Sequence, residues 1–219
     1  MYTPTHFQED RPELQHGLIR DYPLGTLIVS GPDGITVDLI PFMLYPGEGE
    51  RGMLRAHVAR ANPVWKALRE QGACLVVFHG ADGYVSPNWY ATKAETHKVV
   101  PTWNYAMVQV RGTARVVEDA PWLRRLLDDL TAMHEGRLPQ PWKPADAPPE
   151  FLAAMMQGIV GIELPIAAIA GKWKVSQNRS VADREGVIAG LAAQPAAPSG
   201  GAEMAALVTA TLAAALKPD

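Results

Sequence analysis

Apolar and polar residues alternate in short runs along much of the chain, and turns rich in glycine and proline separate the runs. Leu24 to Ser30 reads as a strand. Gly31-Pro32-Asp33-Gly34 follows as a turn whose two glycines can take positive φ. Ile35, Val37 and Leu39 then alternate with polar Thr36 and Asp38, the pattern of a half-buried second strand, and the two runs predict a β-hairpin. Pro41 marks an edge or bulge where that strand ends. Further strands are expected at 52–58, 73–79, 84–86, 105–117 (bent at Gly112), 159–165 and 169–175, with a turn at Gly80 to Gly83.

Helical periodicity is sparser. Asn62 and Pro63 open a helix with Trp65 and Leu68 on one face and Gly72 at its end. Asp119 caps a helix from about 120 to 135, with Leu123, Leu126, Leu127 and Leu130 as its apolar side. A proline-rich connection spans Leu138 to Pro149, and a short helix follows it. Ser180 caps another short helix, with Asp183 in a capping-box position. Residues 192–202 are nearly all Ala, Pro, Ser and Gly and read as a linker; 203–219 carry a C-terminal helix that docks on the body or on a partner subunit. Many short strands, few helices and no βαβ rhythm predict a mainly β protein with α additions, an antiparallel barrel.

Composition changes this picture little. Over 219 residues the formal net charge is −3, which gives no overall support for a nucleic-acid grip. The single cysteine, Cys74, excludes an internal disulfide and reads as a core residue. No signal segment or membrane-length apolar run is visible, so a cytoplasmic soluble protein is expected. The six histidines show no metal-ligand spacing, and no P-loop, C-x-x-C, H-E-x-x-H or helix-turn-helix is recognisable.

Four segments could carry chemistry. H-V-A-R-A-N-P (57–63) sits where a strand gives way to a helix, and Arg60 adds a planar cation suited to phosphate, although capping and a surface arginine explain it equally. Y-V-S-P-N-W-Y-A-T-K (84–93) crowds aromatic and polar groups around Pro87. V-P-T-W-N-Y (100–105) offers Trp103 as a stacking surface. G-K-W-K-V-S-Q-N-R (171–179) is the most basic stretch, interleaved with groups that suit a ligand or subunit contact.

Together with M-Y-T-P-T-H-F at the start, G-I-V-G-I-E-L-P-I (158–166) and D-R-E-G-V-I-A-G-L (183–191), these strings resemble the PaiB family over about residues 1–191. The resemblance implies a flavin-reductase-like split barrel, similar to pyridoxamine phosphate oxidases, as one FMN-binding domain over 1–191. It implies a homodimer with FMN at the subunit interface and a role as negative transcriptional regulator. Carried onto this chain, the FMN phosphate lies near His57, Arg60 and Asn62, with Lys93 as a further phosphate or ring contact. The ring lies by Pro41 and Phe42, and Trp103, Asn104 and the partner's Gln177 close the pocket. Leu39 stands where the family usually has histidine, and Ala56 where it favours glycine, which bears on flavin retention.

Two other functions fit the same barrel. One is a flavin-dependent oxidoreductase acting with a nicotinamide or a small organic substrate; the residues name no catalytic group for it. The other, with His57 or His79 as an axial ligand, is haem binding. DNA contact stays open, without a DNA-reading element to support it.

Overall fold

The computed structural model describes residues 1–31, 34–194 and 201–216. In chain order its strands and helices are β1 (Gln8–Glu9), α1 (Pro12–Asp21), β2 (Leu24–Gly31), β3 (Gly34–Pro41), β4 (Met43–Tyr45), β5 (Met53–Ala59), α2 (Val64–Gln71), β6 (Ala73–Val85) and α3 (Thr92–Thr96). After these come β7 (Thr102–Thr113), β8 (Arg115–Val117), α4 (Ala120–Glu135), α5 (Pro149–Gln157), β9 (Ile159–Pro165), β10 (Ala168–Lys174), α6 (Val181–Ala193) and α7 (Gly201–Ala215). Mainly β structure with helical additions is what the alternation predicted. None of the described helices is long and apolar enough to cross a membrane.

The chain forms two compact units, and β6 and β7 each contribute to both. One unit comprises Pro12–Phe78 and Gln109–Ile169. In it β3, β2 and β6 lie side by side, and β4-β5-β9-β8 form a four-stranded sheet. Pairing is antiparallel, with Ile28 opposite both Val37 and Leu75, and His57 opposite Gly161. Leu54, Ala56 and Val58 of β5 and Val160, Ile162 and Leu164 of β9 point into the core. The alternate residues of that sheet meet α4, whose Trp122, Leu123, Leu126 and Leu130 form an apolar cluster with Val117. Gly161 is required there, because a Cβ would lie 2.3 Å from the Trp122 ring.

The other unit comprises Met1–Arg11, His79–Val108 and Ala170–Asp219. Its strands run in the order β1-β10-β7-β6. Ser180 Oγ accepts from the Asp183 amide and starts α6, as expected. The Asp183 carboxylate, however, accepts from the Thr92 amide and hydroxyl at 2.9 and 2.8 Å. Helix α7 packs on α6, where Thr211 and the Val208 carbonyl accept from buried Arg184.

Several expectations are corrected. Residues 80–83 form no turn, and β6 runs straight through them: neither Gly80 nor Gly83 takes positive φ. Gly83 is glycine because Leu191 of α6 packs against it, 2.9 Å from where a Cβ would stand. The strand that passes Gly112 ends at Thr113, and a Cβ at Gly112 would lie 2.2 Å from the Pro165 carbonyl oxygen, so close approach explains that glycine. The alternation of β3 is real, but its apolar set faces outward: Ile35, Val37 and Leu39 are 72%, 61% and 66% exposed. Helix α1 has no counterpart among the elements expected from the sequence. Pro32 and Asp33 of the expected hairpin turn lie outside the described residues, as do 195–200 of the expected linker. Ala192 and Ala193 close α6, and Gly201 and Ala202 open α7.

Candidate functional site

The expected site residues fall into two groups, one per unit. In the first, His57 leaves β5 on the side facing α4, and its Nδ1 is buried with no hydrogen-bond partner. Burial lowers its pKa, so the ring is neutral near pH 7. Arg60 and Asn62 turn to different neighbours. The Arg60 guanidinium donates to Glu118 at 2.5 Å and to the carbonyls of Gln157 and Ile159. Hydrogen bonds from Arg60 and Arg69 hold the Glu118 carboxyl below its ordinary range. The Asn62 amide donates to Asp38 at 2.8 Å, while its side-chain carbonyl accepts from the Val64 amide at the start of α2. Asn62 and Asp38 line an open groove of about 450 Å3. Pro41 is exposed at the end of β3. Phe42, 1% exposed, packs edge-on against Phe78 in the core.

In the second unit, Trp103 is 52% exposed and meets Tyr84 edge to face, with ring centres 5.9 Å apart. Lys93 donates to Asn88 within its own loop. Gln177 is held by its own turn: its carbonyl accepts from the Val175 amide at 2.8 Å and its amide donates to the Trp173 carbonyl at 2.5 Å. Asn104, 1% exposed, donates to Ser176 Oγ at 2.9 Å.

Asn104 also lines a cavity of about 180 Å3 that sequence reasoning did not assemble. Phe7 reaches it from the N-terminal segment, Tyr90 from the S-P-N-W-Y loop, Val100 to Thr102 from the start of β7, and Lys174, Ser176, Asn178 and Arg179 from the basic stretch. Lys174 Nζ donates to Thr102 Oγ1 at 2.5 Å and to the Trp103 carbonyl. The Arg179 guanidinium lies 4.6 Å from the centre of the Tyr90 ring. Ser176 has φ of 65°, in the left-handed region that a non-glycine residue seldom adopts. Of the residues lining this cavity, only Asn104 was singled out beforehand. The available signal was that three of the four segments named as able to carry chemistry, 84–93, 100–105 and 171–179, supply every lining residue but Phe7. Among the described residues, no group of His, Cys, Asp and Glu could hold a metal ion.

Comparison with known proteins identifies relatives of the chain. Residues 1–168 match the family described as "Putative FMN-binding domain". A protein of Emericella nidulans is 35% identical over 226 residues, covering 87% of this chain and 90% of its own. The "Protease synthase and sporulation protein PAI 2" of Bacillus subtilis is 27% identical over 191 residues, covering 86% and 87%. Among solved structures, a conserved hypothetical protein of Mycobacterium tuberculosis superposes with a TM-score of 0.59 at 14% identity, over 82% of this chain and 94% of that one. An FAD and haem binding protein of Mycobacterium smegmatis gives 0.54 at 22% identity, over 76% and 73%. The fold is therefore that of the flavin-binding split barrels, and the chain belongs to the FMN-binding domain family.

Proposed function

We propose that the protein is a homodimeric, FMN-binding regulator of the PaiB type that represses transcription. Family membership over residues 1–168 is the observation that carries the flavin. The orphaned Nδ1 of His57 fits it, because a buried ring nitrogen with no protein partner is a vacancy that a ligand can satisfy. The proposed contacts are His57, Arg60, Asn62, Pro41, Phe42, Lys93, Trp103 and Asn104, with the partner's Gln177. When bound, FMN supplies one- or two-electron redox chemistry; the residues named here bind and orient it. Arg60 meets a phosphate only by giving up Glu118. Arg60→Ala is expected to weaken FMN binding about tenfold or more, on the order of 1.5–3 kcal/mol for a charge-assisted contact. Fluorescence titration checks this; unchanged affinity in the folded variant removes Arg60 from the phosphate site.

The outward apolar face supports the dimer. Ile35, Val37 and Leu39 of β3, Ile28 of β2 and Leu75 of β6 share one side of the sheet. Such a contiguous apolar surface is characteristic of a subunit contact. A carboxylate at its centre, Val37→Glu, is expected to halve the mass measured by light scattering while leaving the circular dichroism spectrum unchanged. A wild-type protein that runs as a monomer at micromolar concentration sinks the dimer.

The regulatory reading rests on the likeness of the motif strings to the PaiB family and not on the 180 Å3 cavity, whose Tyr90 and Lys174 could both move a proton. The name of the Bacillus subtilis relative, "Protease synthase and sporulation protein PAI 2", points the same way. Promoter fragments that bind the protein only with, or only without, FMN would support regulation. Steady NADH or NADPH turnover with no DNA or protein partner would move the assignment to the oxidoreductase.

A further inference from the structure

We propose that the cavity walled by Lys174 and Arg179 is a binding site for an oxyanion, either a phosphate monoester or a carboxylate. The two cations approach it from β10 and from the turn after it. Among the described residues, no carboxylate forms an ion pair with either of them. The nearby Asp183 is committed to Thr92. The Asp183 charge offsets Arg179 in part without a direct ion pair, so a net positive field from the two cations remains on the cavity side. Lys174 registers it: burial, and then the charges of Lys172 and Arg179, lower its pKa.

Neutral donors complete the wall. Asn104 and Ser176 are both buried, and Thr102 and Asn178 stand beside them. An anion held by two cations and several hydroxyl or amide donors is the usual chemistry of phosphate and carboxylate recognition. Ser176 holds its place at the cost of a left-handed backbone, and strain of this kind gathers at ligand sites. Size selects the class of ligand. At about 180 Å3 the cavity is smaller than the roughly 300–1,000 Å3 of sites that enclose a whole drug-sized molecule, so it takes a head group.

The inference does not depend on flavin binding, and inorganic phosphate is the probe. The full-length protein is titrated with phosphate at constant ionic strength, by calorimetry. Arg179→Gln and Lys174→Met are each expected to weaken binding tenfold or more, and Arg179→Lys to recover part of it. Lys172→Met is the control: that lysine contacts Tyr2 and Tyr105, and its removal subtracts the same charge outside the cavity. Thermal melts establish that each variant is folded. Phosphate affinity that is the same in wild type, Arg179→Gln and Lys174→Met overturns the site. So does an equal loss in Lys172→Met, which would mean only a diffuse positive field.

The same variants identify the source of the anion. If FMN blocks phosphate, and Arg179→Gln weakens FMN but not riboflavin, the head group is the phosphate of FMN itself. If phosphate binds alongside FMN, the head group belongs to a separate ligand. A protein that binds phosphate here but no flavin at all would keep this site and lose the flavin reading.

Discussion

Replacing Glu163 with alanine is expected to cost about 3 kcal/mol, the low end of what breaking a buried ion pair costs. Glu163 is 4% exposed and accepts from Arg55 at 2.7 Å, Arg115 at 2.6 Å and the Trp122 indole at 3.3 Å. Arg55 is largely buried, lies over the Tyr45 ring at 4.3 Å and also pairs with Glu48. Without Glu163 it keeps one exposed partner, and the indole loses its acceptor. Arg115 is mostly exposed and can turn to water, which is why the low end applies. For a chain of this size the loss corresponds to roughly 6–12 °C in melting temperature. A fall of less than 2 °C would mean that the network contributes nothing net.

The pH dependence has a definite sign. Burial raises the pKa of Glu163, but hydrogen bonds from Arg115 and Arg55, together with their charges, outweigh it and leave the pKa lowered. A carboxyl whose folded pKa lies below its unfolded value of about 4.3 contributes stability above that pH. The contribution fades as pH falls through the folded value. The stability gap between wild type and Glu163→Gln should therefore be widest near neutrality and narrow below about pH 4. A gap that does not change with pH would assign the effect to shape rather than charge.

Gly190→Ala is expected to destabilise the protein by about 2–3 kcal/mol, against the preference of an isolated helix. In a free helix alanine is favoured over glycine by about 1 kcal/mol. On α6, however, Gly186 and Gly190 form the seat of Trp89. A Cβ at Gly190 would stand 2.2 Å from the indole, and one at Gly186 would stand 1.9 Å from the Trp89 carbonyl oxygen. Overpacking of this kind outweighs the propensity gain. Gly17 of α1 is the control: the nearest atom to its Cβ is the flexible end of Arg20 at 3.9 Å, so Gly17→Ala should raise the melting temperature slightly. If both substitutions stabilise, Trp89 is not seated on α6 as described.

Most strands and the long helix α4 were legible because their periodicity serves one buried face. Leu123, Leu126 and Leu130 recur at helical spacing, and all three are buried under one sheet. The failures came where a residue answers to something outside its own segment. Gly80 and Gly83 looked like a turn, but Gly83 is small for Leu191, more than a hundred residues later. Ile35, Val37 and Leu39 alternate as a half-buried strand does, and the alternation does not say which side is inward. Of the site, the four segments were visible as unusual strings, and Asn104 was picked from one of them. Lys174 and Arg179 read only as part of a basic stretch suited to a ligand or subunit contact, since only folding brings them beside Tyr90, Thr102 and Phe7.

The placement of β1 sets a timetable for synthesis. Gln8 pairs with Lys172, and the unit they share draws on the first, middle and last parts of the chain. Its N-terminal strand leaves the ribosome early and has no partner until β10 emerges. The α6–α7 pair over Gly83 must wait for the very end. At about 5–20 residues per second, the first segment waits roughly 10–40 s for the last. In that interval Phe7 and the face of β6 around Gly83 lack their native cover.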